Sequence, residues 1–169
     1  MKRETLLQPM CLLGLLSAVF VADVLLTANH LPERLATHFD LDGQADGWMT
    51  RAGHVRFILG FGLGVPLFIL LVSAIITRLG GAGLNIPNRG YWLALERRAH
   101  TLAFAQRQLI WMACLLVVFF AMINHLILQV NTQTPVRLVG EQFWLSMAIF
   151  IGSIGVWMAT FIRPFLRKI

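Results

Sequence analysis

The sequence predicts an all-α transmembrane fold: a four-helix bundle with a structured extracytoplasmic loop and a cytoplasmic amphipathic helix. Three observations carry this. Of 169 residues, 57% are hydrophobic and only 13% charged, well below the roughly one-quarter charged share of soluble domains. Mean hydropathy is +0.72. Four apolar runs, near residues 10–28, 57–76, 109–128 and 143–162, reach or approach bilayer-spanning length, which is about 20 residues for a helix. The runs are continuous rather than alternating, so they suit helices and not barrel strands. Residues 1–169 make one membrane domain.

The first span has Pro9 in its first turn, where a missing N–H costs least. Gly14, Ala18 and Ala22 form a small-residue stripe suited to close helix contact. Lys2 and Arg3 precede the run as in a signal peptide. The run nevertheless contains Asp23 and lacks a small-x-small cleavage site, which reads as a retained helix. An outer loop over 29–56 follows, punctuated by Pro32, Gly43, Gly47 and Gly53. It is too long for a minimal connection and is expected to be compact. The second span carries Gly60 and Gly64 as a G-x-x-x-G, then Pro66 as a candidate kink.

An inner loop spans 77–108. Trp92, Leu95, Ala99, Leu102 and Gln106 recur at steps of three and four, the spacing of an amphipathic helix leading into span three. Asn124 and His125 lie near the end of that span. The fourth span bears Ala148, Gly152, Gly155 and Ala159 on one face, a second close-packing stripe. Cys11 and Cys114 fall inside apolar runs and read as reduced, buried thiols.

Charge sets the expected orientation. With the N-terminus inside, the inner segments hold ten cations, and the outer loops hold four: Arg34, Arg51, Arg56 and Arg137. The positive-inside rule then puts both termini in the cytoplasm and the 29–56 loop outside. The net charge of +6 is therefore an orientation signal and not a nucleic-acid footprint.

Ionisable groups inside a membrane are functional candidates. Asp23, Asn124 and His125 fall at similar depth below the outer face, and Arg56, His54 and Glu141 sit at the outer ends of the other spans. An intramembrane polar cluster of Asp23, Asn124, His125, Arg56 and Glu141 is expected. Asp23 paired with His125 would serve either a ligand or proton, or helix register alone; their shallow depth favours register. In the outer loop, Asp40, Asp42 and Asp46 invite a calcium reading, but Gly43 arrives too soon for an EF-hand loop. His38 has no paired ligand spacing for zinc. No metal or cofactor is expected. No nucleophile motif or phosphate loop is present, so an enzyme is not expected either.

Leu31-Pro32, Thr37-His38-Phe39 and Gly43-Gln44-Ala45-Asp46-Gly47-Trp48 together resemble the signature of domain of unknown function 1648. That domain forms the N-terminal part of SdpI-type bacterial membrane proteins. The stretch Leu84 to Leu93, with Glu96-Arg97-Arg98, is similar to a block in small members of the group. The resemblance implies a bacterial inner-membrane protein; the best-known members of the group act in immunity to a secreted peptide toxin and in signalling. Four spans are fewer than SdpI has, and no catalytic residues carry over. The expected role is a binding or sensing module. Its outer loop, with His38, Asp40, Asp42, Asp46 and Trp48, would meet a peptide, lipid or protein partner. Its inner segment, with Asn85, Pro87, Asn88, Tyr91, Trp92, Glu96 and Arg97, would dock a second partner. The alternatives are an accessory subunit of a membrane complex and a small proton-coupled transporter using Asp23 and His125. The bilayer itself is a partner; association with further copies stays open.

Overall fold

Four long helices and one β-hairpin make up the structure, a computed structural model that describes residues 5–138 and 140–166. In chain order these are α1 (Leu7–Thr27), β1 (Arg34–Phe39), β2 (Ala45–Thr50), α2 (Arg51–Arg78), α3 (Arg89–Trp92), α4 (Leu95–Asn131) and α5 (Gly140–Ile162). Helices α1, α2, α4 and α5 are each long and apolar enough to cross a membrane. Their outward faces stay apolar: Leu15, Val19, Phe61, Leu67 and Ile151 are all exposed. That is the reverse of a soluble bundle, whose outer face is polar.

The bundle is assembled around α4. Helices α1, α2 and α5 each pack chiefly on it, and α1 and α2 touch one another less. The central core holds Leu13, Phe20, Val24, Ile58, Ile110, Ala113 and Val117. The G-x-x-x-G pair Gly60 and Gly64 does not make the contact of α2 within the bundle. Both are open, with no neighbour where a Cβ would stand, and the contact glycine is Gly62 between them. A Cβ on Gly62 would lie 2.4 Å from the Phe20 ring. Pro66, one turn on, has no N–H to offer the Gly62 carbonyl, yet α2 runs unbroken through it. The stripes on α1 and α5 also point away from the core: Gly14, Ala18, Ala22, Ala148, Gly152, Gly155 and Ala159 are exposed.

The inner loop departs from expectation. No separate amphipathic helix forms; α4 begins at Leu95 and continues for 37 residues, about 55 Å at 1.5 Å per residue. The physical reason is that no Gly or Pro interrupts residues 95–131, so nothing ends the helix at the start of the apolar run. Only part of the expected apolar face is buried. Leu95 and Ala99 are exposed, while Thr101, Leu102 and Ala105 face inward. The fold is also not all-α, because the 29–56 loop contains a two-stranded antiparallel sheet.

Gly62→Leu should destabilise the bundle by about 1–3 kcal/mol, the usual cost of overpacking. Gly60→Leu, with open space around it, should change stability by less than about 0.5 kcal/mol. Unfolding in mixed micelles, followed by far-UV circular dichroism, checks both.

Candidate functional site

The hairpin is built by its own signature residues. Asp40 Oδ1 accepts the N–H groups of Asp42 (2.9 Å) and Gln44 (2.8 Å), closing the turn between β1 and β2. This carboxylate oxygen is therefore occupied with turn chemistry. Gly43 has φ +77°, and a Cβ there would stand 2.6 Å from the Leu138 carbonyl. A side chain at Gly47 would meet the Cβ of His38 across the strands at 2.7 Å. His38 Nδ1 pairs with the Asp46 carboxylate on the exposed face. Thr50 caps α2, its Oγ1 accepting the Gly53 N–H at 3.1 Å.

Asn131, the last residue of α4, seats the hairpin on the bundle. Its Oδ1 accepts the Ala36 N–H at 2.7 Å, and its Nδ2 donates to the Ala36 carbonyl at 2.8 Å. One side-chain amide thus stands in for a neighbouring strand. Leu31 and Leu35 close over Ile127 beside it. A strap after α4 holds the turn from the other side. The Leu138 N–H donates to the Gly43 carbonyl at 2.9 Å, and Arg137 donates through Nε and Nη2 to the Asp42 carbonyl at 3.2 and 3.0 Å.

Between hairpin, strap, the end of α4 and the start of α5 lies a cavity of about 840 Å³. Leu126, Ile127, Phe143 and Trp144 give it apolar walls; His38, Asp40, Asp42 and Arg137 stand at its polar side. Of the outer-loop candidates, His38, Asp40 and Asp42 line it. Asp46 holds His38. Trp48 lies elsewhere, with the Arg34 guanidinium 5.9 Å from its ring centre. The cavity's size and mix of apolar walls with few polar groups are those of small-molecule sites.

The intramembrane cluster differs from the expected one. Asn124 Nδ2 donates to Asp23 Oδ2 at 3.3 Å, and His54 Nε2 lies 3.1 Å from Asn124 Oδ1. With the amide nitrogen turned to Asp23, its oxygen accepts from His54 Nε2–H. The chain ties α1, α2 and α4 together, with His54 and Asn124 each only 3% exposed. His125 is exposed and makes no pair with Asp23. Helix rotation explains this, since neighbours on α4 are about 100° apart. Arg56 is exposed and bonds within its own helix to the Ala52 carbonyl; Glu141 is exposed too. Neither joins the chain. His54 is the member that sequence reasoning left at a helix end without a partner. Asn131, three residues past the expected end of the third span, read only as part of a polar loop.

The inner segment folds back on the chain itself. Phe165, 2% exposed, sits among Leu84, Ile86, Leu102 and Ala105. Asn88, in the left-handed region at φ 53°, precedes α3, and its Nδ2 donates to the Phe165 carbonyl at 3.4 Å. Trp92 meets Phe165 edge-on, and Arg97 lies over Tyr91 at 4.0 Å. Pro87 is half-buried; Asn85 and Glu96 are exposed. Asn88 and Trp92 of the expected docking surface are thus engaged with Phe165, just beyond α5.

Four apolar helices, hairpin-capped at one end, define a multi-pass membrane protein. Residues 14–63, from α1 through the hairpin into α2, match the domain of unknown function family DUF1648. Neither the search of curated proteins nor that of solved structures gives a match.

Asn131→Leu should release the hairpin without unfolding the helices: hydrogen exchange at Ala36 rises, and β1 becomes open to protease. Asn124→Leu leaves His54 and Asp23 without their link and should cost about 1–2 kcal/mol. His125→Leu should be close to neutral in the same unfolding measurement.

Proposed function

We propose that this chain is a binding and sensing module of the bacterial inner membrane, related in role to the SdpI-type immunity and signalling proteins. Its hairpin side takes an amphiphilic ligand, whether a peptide, a lipid or a segment of a partner protein. It does so without catalysis. The observation that carries this is the 840 Å³ cavity under the hairpin turn, apolar within and polar at the turn. A ligand that reaches it touches hairpin, strap, α4 and α5 together, so occupancy is coupled to how these parts sit. The family match supports the reading by covering the hairpin that forms one side of the cavity.

The charge distribution supports placing this side outside the cytoplasm, with both termini inside. A periplasm-dependent reporter fused after Gln133 should be active, and the same reporter fused after Gly83 should be silent; the reverse pattern would invert the topology.

Occupancy is tested by a photo-crosslinking amino acid at Phe143, on the cavity wall, in living cells. Adducts should form and be resolved by mass spectrometry. Leu126→Trp narrows the cavity and should reduce them. Adducts as abundant in the narrowed variant, or none in either, would overturn the reading.

A further inference from the structure

The cavity has a side facing the bilayer. Trp144 on its wall is 67% exposed, and Leu145 and Ile149 carry that exposed apolar surface along α5. Leu41, at the tip of the turn, is fully exposed and also borders the cavity. Exposed apolar side chains grouped at one opening, rather than scattered singly, mark a membrane or ligand contact. The route into the cavity therefore runs along lipid-facing surface, and an occupant arriving by it comes from the leaflet.

Two groups of opposite charge wait at the polar side. Among the described residues, the Asp42 carboxylate has no protein partner, since only the backbone of Asp42 is engaged. The Arg137 guanidinium meets that backbone carbonyl and no carboxylate. Of the other charges of the hairpin, His38 pairs with Asp46 and Glu33 with Arg51, Asp40 Oδ1 accepts two backbone N–H groups, and Arg34 lies beside the Trp48 ring. A guanidinium is well suited to phosphate, and a free carboxylate to a primary ammonium. The apolar walls suit the upper part of an acyl chain.

Resting on the cavity reading above, we infer that the occupant is an aminophospholipid of the surrounding leaflet. Its phosphate lies at Arg137, its ammonium at Asp42, and its chain against Leu126, Ile127 and Phe143. A purely anionic headgroup satisfies Arg137 but sets a negative or neutral group against Asp42. A cationic peptide satisfies Asp42 and leaves Arg137 repelled.

The test is native mass spectrometry of the full chain from vesicles of equimolar phosphatidylethanolamine and phosphatidylglycerol with identical acyl chains. Phosphatidylethanolamine should be retained about tenfold over phosphatidylglycerol, the order expected of one charge-assisted hydrogen bond. Asp42→Asn should bring the two near parity with the thermal midpoint unchanged, because the Asp42 carboxylate holds no part of the fold. Leu126→Trp should reduce the retained lipid. Equal retention in the unsubstituted protein, or retention that Leu126→Trp leaves intact, would overturn the inference. So would a peptide or protein adduct at Phe143 with no lipid, although cavity binding would then stand. The absence of any Phe143 adduct would remove cavity binding as well.

Discussion

The packing of three helices onto α4 is the constraint on which the rest of the structure depends. A bilayer gives helices no hydrophobic reason to associate, so close van der Waals fit and polar contacts must do it. Here the fit is local. Phe20 lies against Gly62, and α4 supplies Ala113 and Val117 to the same core. Helix α5 is held differently, with no fully buried residue along its described length. It stacks Phe150 on Phe119 at 3.9 Å and donates from Trp157 Nε1 to the Gln108 carbonyl at 2.8 Å. Aromatic faces and one hydrogen bond thus hold α5, in place of the interlocking that fixes α1 and α2.

The length of α4 carries this packing beyond the membrane core. At about 55 Å it exceeds the roughly 30 Å hydrocarbon thickness, and both ends do structural work. At one end Asn131 pairs with Ala36 and Ile127 supports Leu31 and Leu35, so the hairpin is fixed to the bundle rather than hung on loops. At the other, the Thr101 hydroxyl donates to the Trp92 carbonyl at 2.8 Å, holding the inner segment against Phe165. The cavity lies where Leu126 and Ile127 of α4 and Phe143 and Trp144 of α5 are bordered by the hairpin turn and the strap.

Polar groups within the bundle show how one residue of rotation decides chemistry. Asp23, Asn124 and His125 share a depth, and each is costly in a membrane. Of the two neighbours on α4 only Asn124 faces inward, where one amide serves both the Asp23 carboxylate and an imidazole. That chain lies among three helices and off the cavity's lining. The buried polar groups accordingly fit a register-setting role, and the exposed charges of the hairpin fit a binding role.

Composition and the length of the apolar runs were enough to determine four membrane helices, because spanning length and continuous hydrophobicity are properties of the chain itself. The hairpin turn was partly legible too: Asp40, Gly43 and Gly47 are residues with few alternative uses in a short polar loop. What only the tertiary structure decided is which faces meet. Gly62 rather than Gly60 takes the Phe20 ring, His54 rather than His125 completes the polar chain, and the small-residue stripes of α1 and α5 stay outside. In lipid all faces of a helix are apolar, so hydropathy cannot mark the inner one. The rotation of each helix is set by side-chain shape and by a few polar contacts whose partners are distant in sequence, as Ala36 and Asn131 are.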